Sequence, residues 1–582
     1  MAQHQWEIER KYDVSPKQAA KIKLHKVEGF TVGEPAIYDM TAAYYDTADY
    51  ALSGANVAVR RRAGGGDDGW HVKYKAGKVR GELHYEPLKT STRMPAALRK
   101  TLVGITLDQP LTPVATINTK RAEYPITAQD GQQHAVLCVD FVCARDERAG
   151  IDREWSECEI ELSSSDLSKK QSKAVFSAVE DVLFEAGAVA SKSPAKIARA
   201  LGQDKAPVKE VPAQDKNSSE ESSKNAKGSS KKDKTSKKSK KESEKKKASE
   251  SVQGEPANGQ DVLLAMCETL TRQLQHWDFA VRIGADDSVH QMRVRSRALR
   301  SVLHAARDFI PEQTGADLEE RLKTLARALS DARDEEVAAE LLHGRLDNEF
   351  QGQISATARQ DLFAASQTGA DDAARAVRRM LDSTAHLQLL TDLRALFQDA
   401  SFGEKAAELS TKKFAKAVMS TALRDVIQEA TAQPAVDSET GRTEVSELGA
   451  ELSERLALAD EDPVELAVYF DHLHDARKAI KSVRYVSDAL DHADAYPGKK
   501  RSKAASYAKD YQDELGSLTD CAVMEHWLAR VARSFQRTGK DRYAVGLLHG
   551  IEMASLRARL DEAPELIGDL VEDIQRELPD ED

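Results

Sequence analysis

The residues with the most chemistry to offer fall at every second position. Glu7, Glu9 and Lys11 alternate with Ile8 and Arg10, and Glu157, Glu159 and Glu161 alternate with Cys158 and Ile160. Arg60 with Arg62, Lys73 with Lys75, and Arg80 with Glu82 repeat the arrangement. Side chains two apart in a strand share a face, so each segment presents a charged stripe. Hard divalent cations such as Mg²⁺ and Mn²⁺ prefer carboxylate oxygens, and phosphates prefer guanidinium and ammonium groups. Together the two sets suit a metal-bound polyphosphate. No Cys-x-x-Cys pair or His-rich ligand set occurs, which argues against zinc.

These stripes need strands to carry them. Val57, Val59, Val72, Tyr74, Cys158, Ile160 and Leu162 occupy the opposite faces. A single charged stripe is ordinarily the solvated side of a sandwich. Several together predict a closed antiparallel barrel with a polar interior, its apolar exterior covered by helices. Helices are predicted at Ser15-Pro16, where Ser caps and Pro opens a turn, from Pro95 to Leu102, and from Ser168 to Gly187.

The ordered series resembles the CYTH domain of the triphosphate tunnel metalloenzymes, a family that also includes class IV adenylate cyclases and thiamine triphosphatases. It runs from Glu7-x-Glu9-x-Lys11 through Tyr44-Tyr45-Asp46-Thr47, Arg60, Arg62, Lys75, Arg80 with Glu82, Arg121 and Asp140 to Glu157-x-Glu159-x-Glu161. The resemblance implies a tunnel. Glu7, Glu9, Glu159 and Glu161, with Glu157 or Asp140, would hold one or two Mg²⁺ or Mn²⁺ ions. Lys11, Arg60, Arg62, Lys75, Arg80 and Arg121 would clamp phosphates, with Lys196 and Arg199 as a closing element, and Lys73 is read as an extra substrate-binding cation beyond the family's set. Glu9, Lys11 and Glu159 are the implied catalytic groups. Ala195 stands where that closing element usually has Ser, and Lys73 where the family more often has Thr.

Beyond Gln203 the sequence turns Lys-, Ser- and Glu-rich, with too few large apolar side chains to offset chain entropy. Residues 203–257 are therefore read as a disordered linker. From 258 onward a helical period prevails. His290, Arg293, Arg297 and Arg300 share one helical face, and His474, Arg477, Lys481 and Arg484 repeat the spacing. Leu329 to Val337 and Leu515 to Val523 form a second matching pair, so residues 258–400 and 401–582 read as two copies of one unit. The region resembles the CHAD domain, a duplicated helical module implicated in binding inorganic polyphosphate. Lys412, Lys413 and Lys416 are weaker additions to its basic set.

The expectation is thus an α+β chain: an antiparallel β-barrel tunnel with flanking helices at residues 1–202, a linker, and a separate all-α duplicated bundle at 258–582. The net charge of −12 is an average over locally basic stripes. No apolar run is long enough for a bilayer and no signal peptide opens the chain. The five scattered cysteines fit a reducing compartment. These features place the chain in the cytoplasm, with association with polyphosphate granules following from the CHAD resemblance. The expected activity is metal-dependent hydrolysis of inorganic triphosphate or a related triphosphate. A non-catalytic polyphosphate-binding protein is the alternative, and thiamine triphosphatase or adenylate cyclase activity ranks below it. Nucleic acid is disfavoured because the helical groove lacks aromatic stacking platforms.

Overall fold

The computed structural model describes residues 3–76, 79–86, 93–164, 167–203, 209–211, 256–349, 352–432, 445–458 and 461–578. The chain divides into two compact units, Met1–Lys237 and Lys238–Asp582.

The strands of the first unit are β1 (Gln3–Glu7), β2 (Glu9–Val14), β3 (Phe30–Val32), β4 (Ala36–Asp46), β5 (Val57–Ala63), β6 (Gly69–Ala76), β7 (Val79–Tyr85), β8 (Thr112–Ala128), β9 (Gln133–Asp146), β10 (Ile151–Leu162), β11 (Val189–Ala190) and β12 (Lys209–Val211). Its helices are α1 (Pro16–Ala19), α2 (Ala51–Gly54), α3 (Ala96–Thr106), α4 (Lys169–Glu185) and α5 (Lys196–Ala200). All pairings are antiparallel, in the order β1-β7-β6-β5-β4-β8-β9-β10-β2-β11, with β3 on β8 and β12 on β10. β1 pairs with β7 and β2 with β10, yet only Ile8 separates β1 from β2. One nearly continuous strand therefore joins the two edges, giving the tunnel-like sheet expected from the stripes. The linker reading at 203–257 falls almost wholly outside the described residues. Within it, β12 pairs with Asp152–Glu154.

The apolar exterior is covered as the alternation requires. α4 turns Val175, Phe176, Val179, Val182 and Leu183 to one side, at helical spacing, against Tyr12, Ile126, Leu137, Cys158 and Ile160. Each such side chain contributes about 1.5–3 kcal/mol on full burial. Ser168 caps this helix in a reciprocal arrangement with Gln171, and Ser15 does the same for α1 with Gln18. Ile8 packs on this outer core and Arg10 pairs with Glu180, so both point away from Glu7, Glu9 and Lys11. A second core holds α5 against the sheet: Ala42, Tyr44, Ile117, Val142 and Trp155 pack with Ile197 and Ala200 of α5.

The second unit is helical. Its elements are α6 (Gly259–Ile283), α7 (Ser288–Ala305), α8 (Glu312–Gly344), α9 (Ala356–Leu381), α10 (Thr384–Ala395), α11 (Glu404–Ala407), α12 (Thr411–Thr431), α13 (Glu447–Leu456), α14 (Pro463–His492), α15 (Lys499–Thr538) and α16 (Tyr543–Glu577). The repeated basic segments lie on α7 and α14, and the second repeated motif lies on α8 and α15. No helix among the described residues is long and apolar enough to cross a membrane.

Candidate functional site

Strand register sets the charge pairings inside the sheet. Lys73 lies opposite Glu82, Lys11 opposite Glu159, and Arg121 opposite Asp140. Side chains directly opposite each other in an antiparallel pair are close enough to interact, so these partners meet by construction. Lys11 is ion-paired with Glu159 and lies 3.3 Å from Glu9. Arg121 grips Asp140 with two bonds of 2.8 Å and reaches Glu159 at 2.7 Å. Arg80 Nη1 donates to Glu9 at 2.6 Å, and Lys73 Nζ donates to both Glu7 oxygens at 2.7 and 2.9 Å.

These groups surround a cavity of about 670 Å³. Glu7, Glu9, Lys11, Arg60, Arg62, Lys73, Lys75, Arg80, Arg121, Glu159, Glu161 and Lys196 all line it. Glu9, Glu159 and Glu161 each offer an oxygen within 4.8 Å of the others, as do Asp140, Glu157 and Glu159. An oxygen-only set of this spacing fits a hard divalent cation.

Burial and neighbouring charge divide the carboxylates into different states. Against its burial, Lys11, Lys196 and Arg121 hold Glu159 well below the usual carboxylate range. Lys73, a hydrogen bond from His71, and Arg60 likewise hold Glu82 down against burial. Burial pushes Glu7 up to about 7, with Lys73 opposing and a hydrogen bond shared with Glu82 adding to the rise. Burial also raises Glu161, which Arg121 only partly offsets at 3.6 Å.

In the helical unit, the faces of α7 and α14 concentrate positive charge. Burial, then Arg477, Arg297, Arg293 and Arg484, push Lys481 down to about 6. Burial, Arg293 and Arg477 lower Arg297 to about 10. Burial, Lys478 and Arg477 bring His474 to about 3. His290 is lowered by burial and by Arg333. Arg293 donates to Ser330 at 3.0 Å, and buried Arg477 has an Nε without a hydrogen-bond partner. Like charges held this close favour a bound polyanion.

The family description of the CYTH domain matches residues 5–201, and that of the CHAD domain matches residues 265–529. The chain is a CYTH domain followed by a CHAD domain. An uncharacterized protein of Mycobacterium tuberculosis, Rv2226, is 26% identical over 559 residues, spanning 93% of this chain and 92% of that protein. The crystal structure of the CHAD domain from the plant Ricinus communis is similar at 21% identity, TM-score 0.39, over 55% of this chain and 95% of that one. The Hippeastrum protein HpAC1, described with a dominant triphosphatase activity, is similar at 17% identity, TM-score 0.24, over 34% of this chain and 98% of that one.

The CYTH unit brings together the residues of its sequence pattern with three qualifications. Asp140 and Glu157 are buried behind the cavity lining, where Lys196 lies 3.0 and 2.5 Å from them. Arg199 does not line the cavity: it donates to Asp13 at 2.5 Å and to Ser191 at 3.0 Å, beside the Trp155 ring. In Tyr44-Tyr45-Asp46-Thr47, Tyr44 reaches the cavity while buried Asp46 accepts from the backbone N–H groups of Thr47, Leu52 and Ser53, fixing the turn into α2.

The sequence pattern includes Glu82 and Tyr44 but gives neither a role in the site, and it omits His71 and Glu123. Glu82 sits at the centre of one wall, 3.1 Å from Arg60, 3.5 Å from Lys73 and 2.8 Å from His71. Its place two residues after Arg80 was the available signal. His71 shares the stripe of Lys73 and Lys75, and Glu123 that of Arg121. In the CHAD unit, Arg484 stands 5.1 Å from the Tyr485 ring and Arg300 is half-buried on α7. Lys412, Lys413 and Lys416 lie on α12, the first two exposed.

Proposed function

We propose that the CYTH unit hydrolyses inorganic triphosphate or a related triphosphate with Mg²⁺ or Mn²⁺, and that the CHAD unit binds inorganic polyphosphate. The observation carrying this reading is that one cavity is lined by a carboxylate triad, Glu9, Glu159 and Glu161, and by Lys and Arg side chains interleaved with it and around it. Glu9, Glu159 and Glu161 would hold the metal, which when bound neutralises phosphate charge and lowers the pKa of a coordinated water. Phosphoryl transfer needs positioning and charge stabilisation more than covalent chemistry. Lys11, Arg60, Arg62, Lys73, Lys75, Arg80 and Arg121 supply both, exchanging carboxylate partners for phosphate oxygens when substrate enters.

Glu159, fully ionised among its cations, is a weak base and acts through its charge. Glu7, near 7, has a proton affinity matched to neutral pH, and this reading gives it the proton of the attacking water. In the CHAD unit, His290, Arg293, Arg297, Arg300, His474, Arg477, Lys481 and Arg484 would track a linear polyphosphate. Counterion release would make that binding salt-sensitive, as for nucleic acids.

The test is phosphate release by the full chain from inorganic triphosphate, ATP, thiamine triphosphate and long polyphosphate, with Mg²⁺ or Mn²⁺. Metal-dependent release, fastest from inorganic triphosphate, supports the reading. Polyphosphate binding with no release from any of the four would make the chain a binding protein and overturn the hydrolase assignment.

A further inference from the structure

Three pairs of carboxylates stand directly opposite each other in the barrel wall. Glu157 faces Asp140 across β10 and β9 and Asp13 across β10 and β2, and Glu161 faces Glu9 across β10 and β2. Like charges in that relation repel, so each pair needs a cation between its members. The fold itself supplies one to both pairs that involve Glu157: Arg199 lies 2.5 Å from Asp13 and 3.6 Å from Glu157. Lys196 Nζ lies 3.0 Å from Asp140, 2.5 Å from Glu157 and 2.9 Å from Glu159, with its side chain 12% exposed. This places an ammonium among the three carboxylates of the second candidate metal triad. No lysine or arginine among the described residues is paired with both Glu9 and Glu161. Glu9 pairs with Lys11 and Arg80, and Glu161 with Arg121.

The lysine is held there by its helix. Ile197 and Ala200 of α5 pack into the second core, and Arg199 ties the same turn to Asp13 and Ser191. Arg121 adds its two bonds to Asp140 and one to Glu159. For a divalent cation to enter this triad, it would have to displace an ammonium anchored through its backbone and bring two positive charges next to Arg121 in a buried site.

We propose that Lys196 is the built-in counter-cation of Asp140, Glu157 and Glu159, so that the substrate-free barrel takes one divalent cation, at Glu9, Glu159 and Glu161. This rests on the metal-phosphate reading of the cavity and deepens it: Asp140 and Glu157 hold the lysine, not the metal. Lys196 is then a positioning residue that fixes Glu159 for the metal and leaves the second charge of the site to the protein.

The test is Mn²⁺ titration of the substrate-free full chain, with free Mn²⁺ read by electron paramagnetic resonance. One tight ion per chain is expected for wild type and for Lys196→Arg. Two are expected for Lys196→Met, falling back to one in Lys196→Met/Glu157→Gln. Two tight ions in wild type, or one in a natively folded Lys196→Met, would overturn the proposal. Should Lys196→Met fail to fold, Glu157→Gln alone decides: retention of the single tight ion supports the proposal, and its loss makes Glu157 a ligand and refutes it. Phosphate release is assayed separately. One ion without turnover would sink the hydrolase reading alone, and two ions with turnover would sink only this inference.

Discussion

Arg121 holds Asp140 on the neighbouring strand with a planar two-bond grip, Nε to Oδ1 and Nη2 to Oδ2, both 2.8 Å. The same guanidinium reaches Glu159 at 2.7 Å, so one residue links the back of the barrel wall to its candidate metal ligands. Both partners of the grip are buried. Breaking such a pair leaves an uncompensated charge inside the protein, costing about 3–5 kcal/mol. Arg121→Ala is expected to lower the melting temperature of the CYTH unit by on the order of 10 °C, measured by calorimetry. Arg121→Lys should recover only part of this, because an ammonium cannot make the two-bond contact. Full recovery by Lys would show that charge alone matters here.

Glu7 sets a pH dependence. Burial raises its pKa to about 7, with Lys73 opposing, so the folded barrel carries a proton on Glu7 that the unfolded chain has lost above its ordinary value near 4.5. Through that window the folded state binds more protons, and stability falls as pH rises from about 4.5 to about 7. A base must be deprotonated to act, so turnover should rise through the same region. Glu7→Gln is expected to flatten the stability slope in metal-free denaturation curves. It should also cut kcat by about 10²- to 10⁴-fold and remove the acid limb of the rate profile. An unchanged acid limb would assign it to another group.

Arg199 and Arg60 are expected to behave differently, the first as a structural and the second as a binding arginine. Arg60 lines the cavity, while Arg199 ties α5 to Asp13. Arg60→Ala is expected to weaken triphosphate binding and make it less salt-dependent, because one phosphate contact is lost. Arg199→Ala is expected to lower the melting temperature and speed proteolysis near α5, with the salt dependence of binding retained. Equal loss of salt dependence in both would place Arg199 on the substrate.

Lys481 predicts proton uptake on polyphosphate binding. Burial, then four neighbouring arginines, bring it to about 6, so it is largely neutral at pH 7.5 in the free protein. A bound polyanion favours the charged form and draws a proton from buffer. Calorimetric titration of the full chain with polyphosphate, in buffers of different ionisation enthalpy, should report net proton uptake that shrinks in Lys481→Met. Uptake of the same size in the variant would point to His290 or His474 instead.

The period-two rule made much of this site readable before any fold was known. Glu7, Glu9 and Lys11 do face inward together, and Ile8 and Arg10 do not, because strand geometry leaves no other choice. Three helix starts were likewise legible from Ser15, Pro95 and Ser168. Depth within the wall was hidden: Glu157 shares the stripe of Glu159, yet α5 covers it and Lys196 binds it. That contact joins residues far apart in sequence, and no local pattern encodes it. Gly81 was equally silent. Its hydrogen gives room to the Tyr74 ring, atoms of which would lie 2.3–2.6 Å from an added Cβ. Neutral or ambiguous residues such as His71 acquire meaning only from partners, here Glu82 at 2.8 Å and the Asp67 carbonyl at 2.9 Å.

The central claim, that this cavity is a metal-dependent triphosphatase site, is tested most directly by orthophosphate release from inorganic triphosphate, with and without Mg²⁺ or Mn²⁺, for wild type and Glu9→Gln. The account predicts release that needs the metal and falls by about 10²-fold or more in the variant. Release that is equal in both proteins, or absent with either metal, would contradict it.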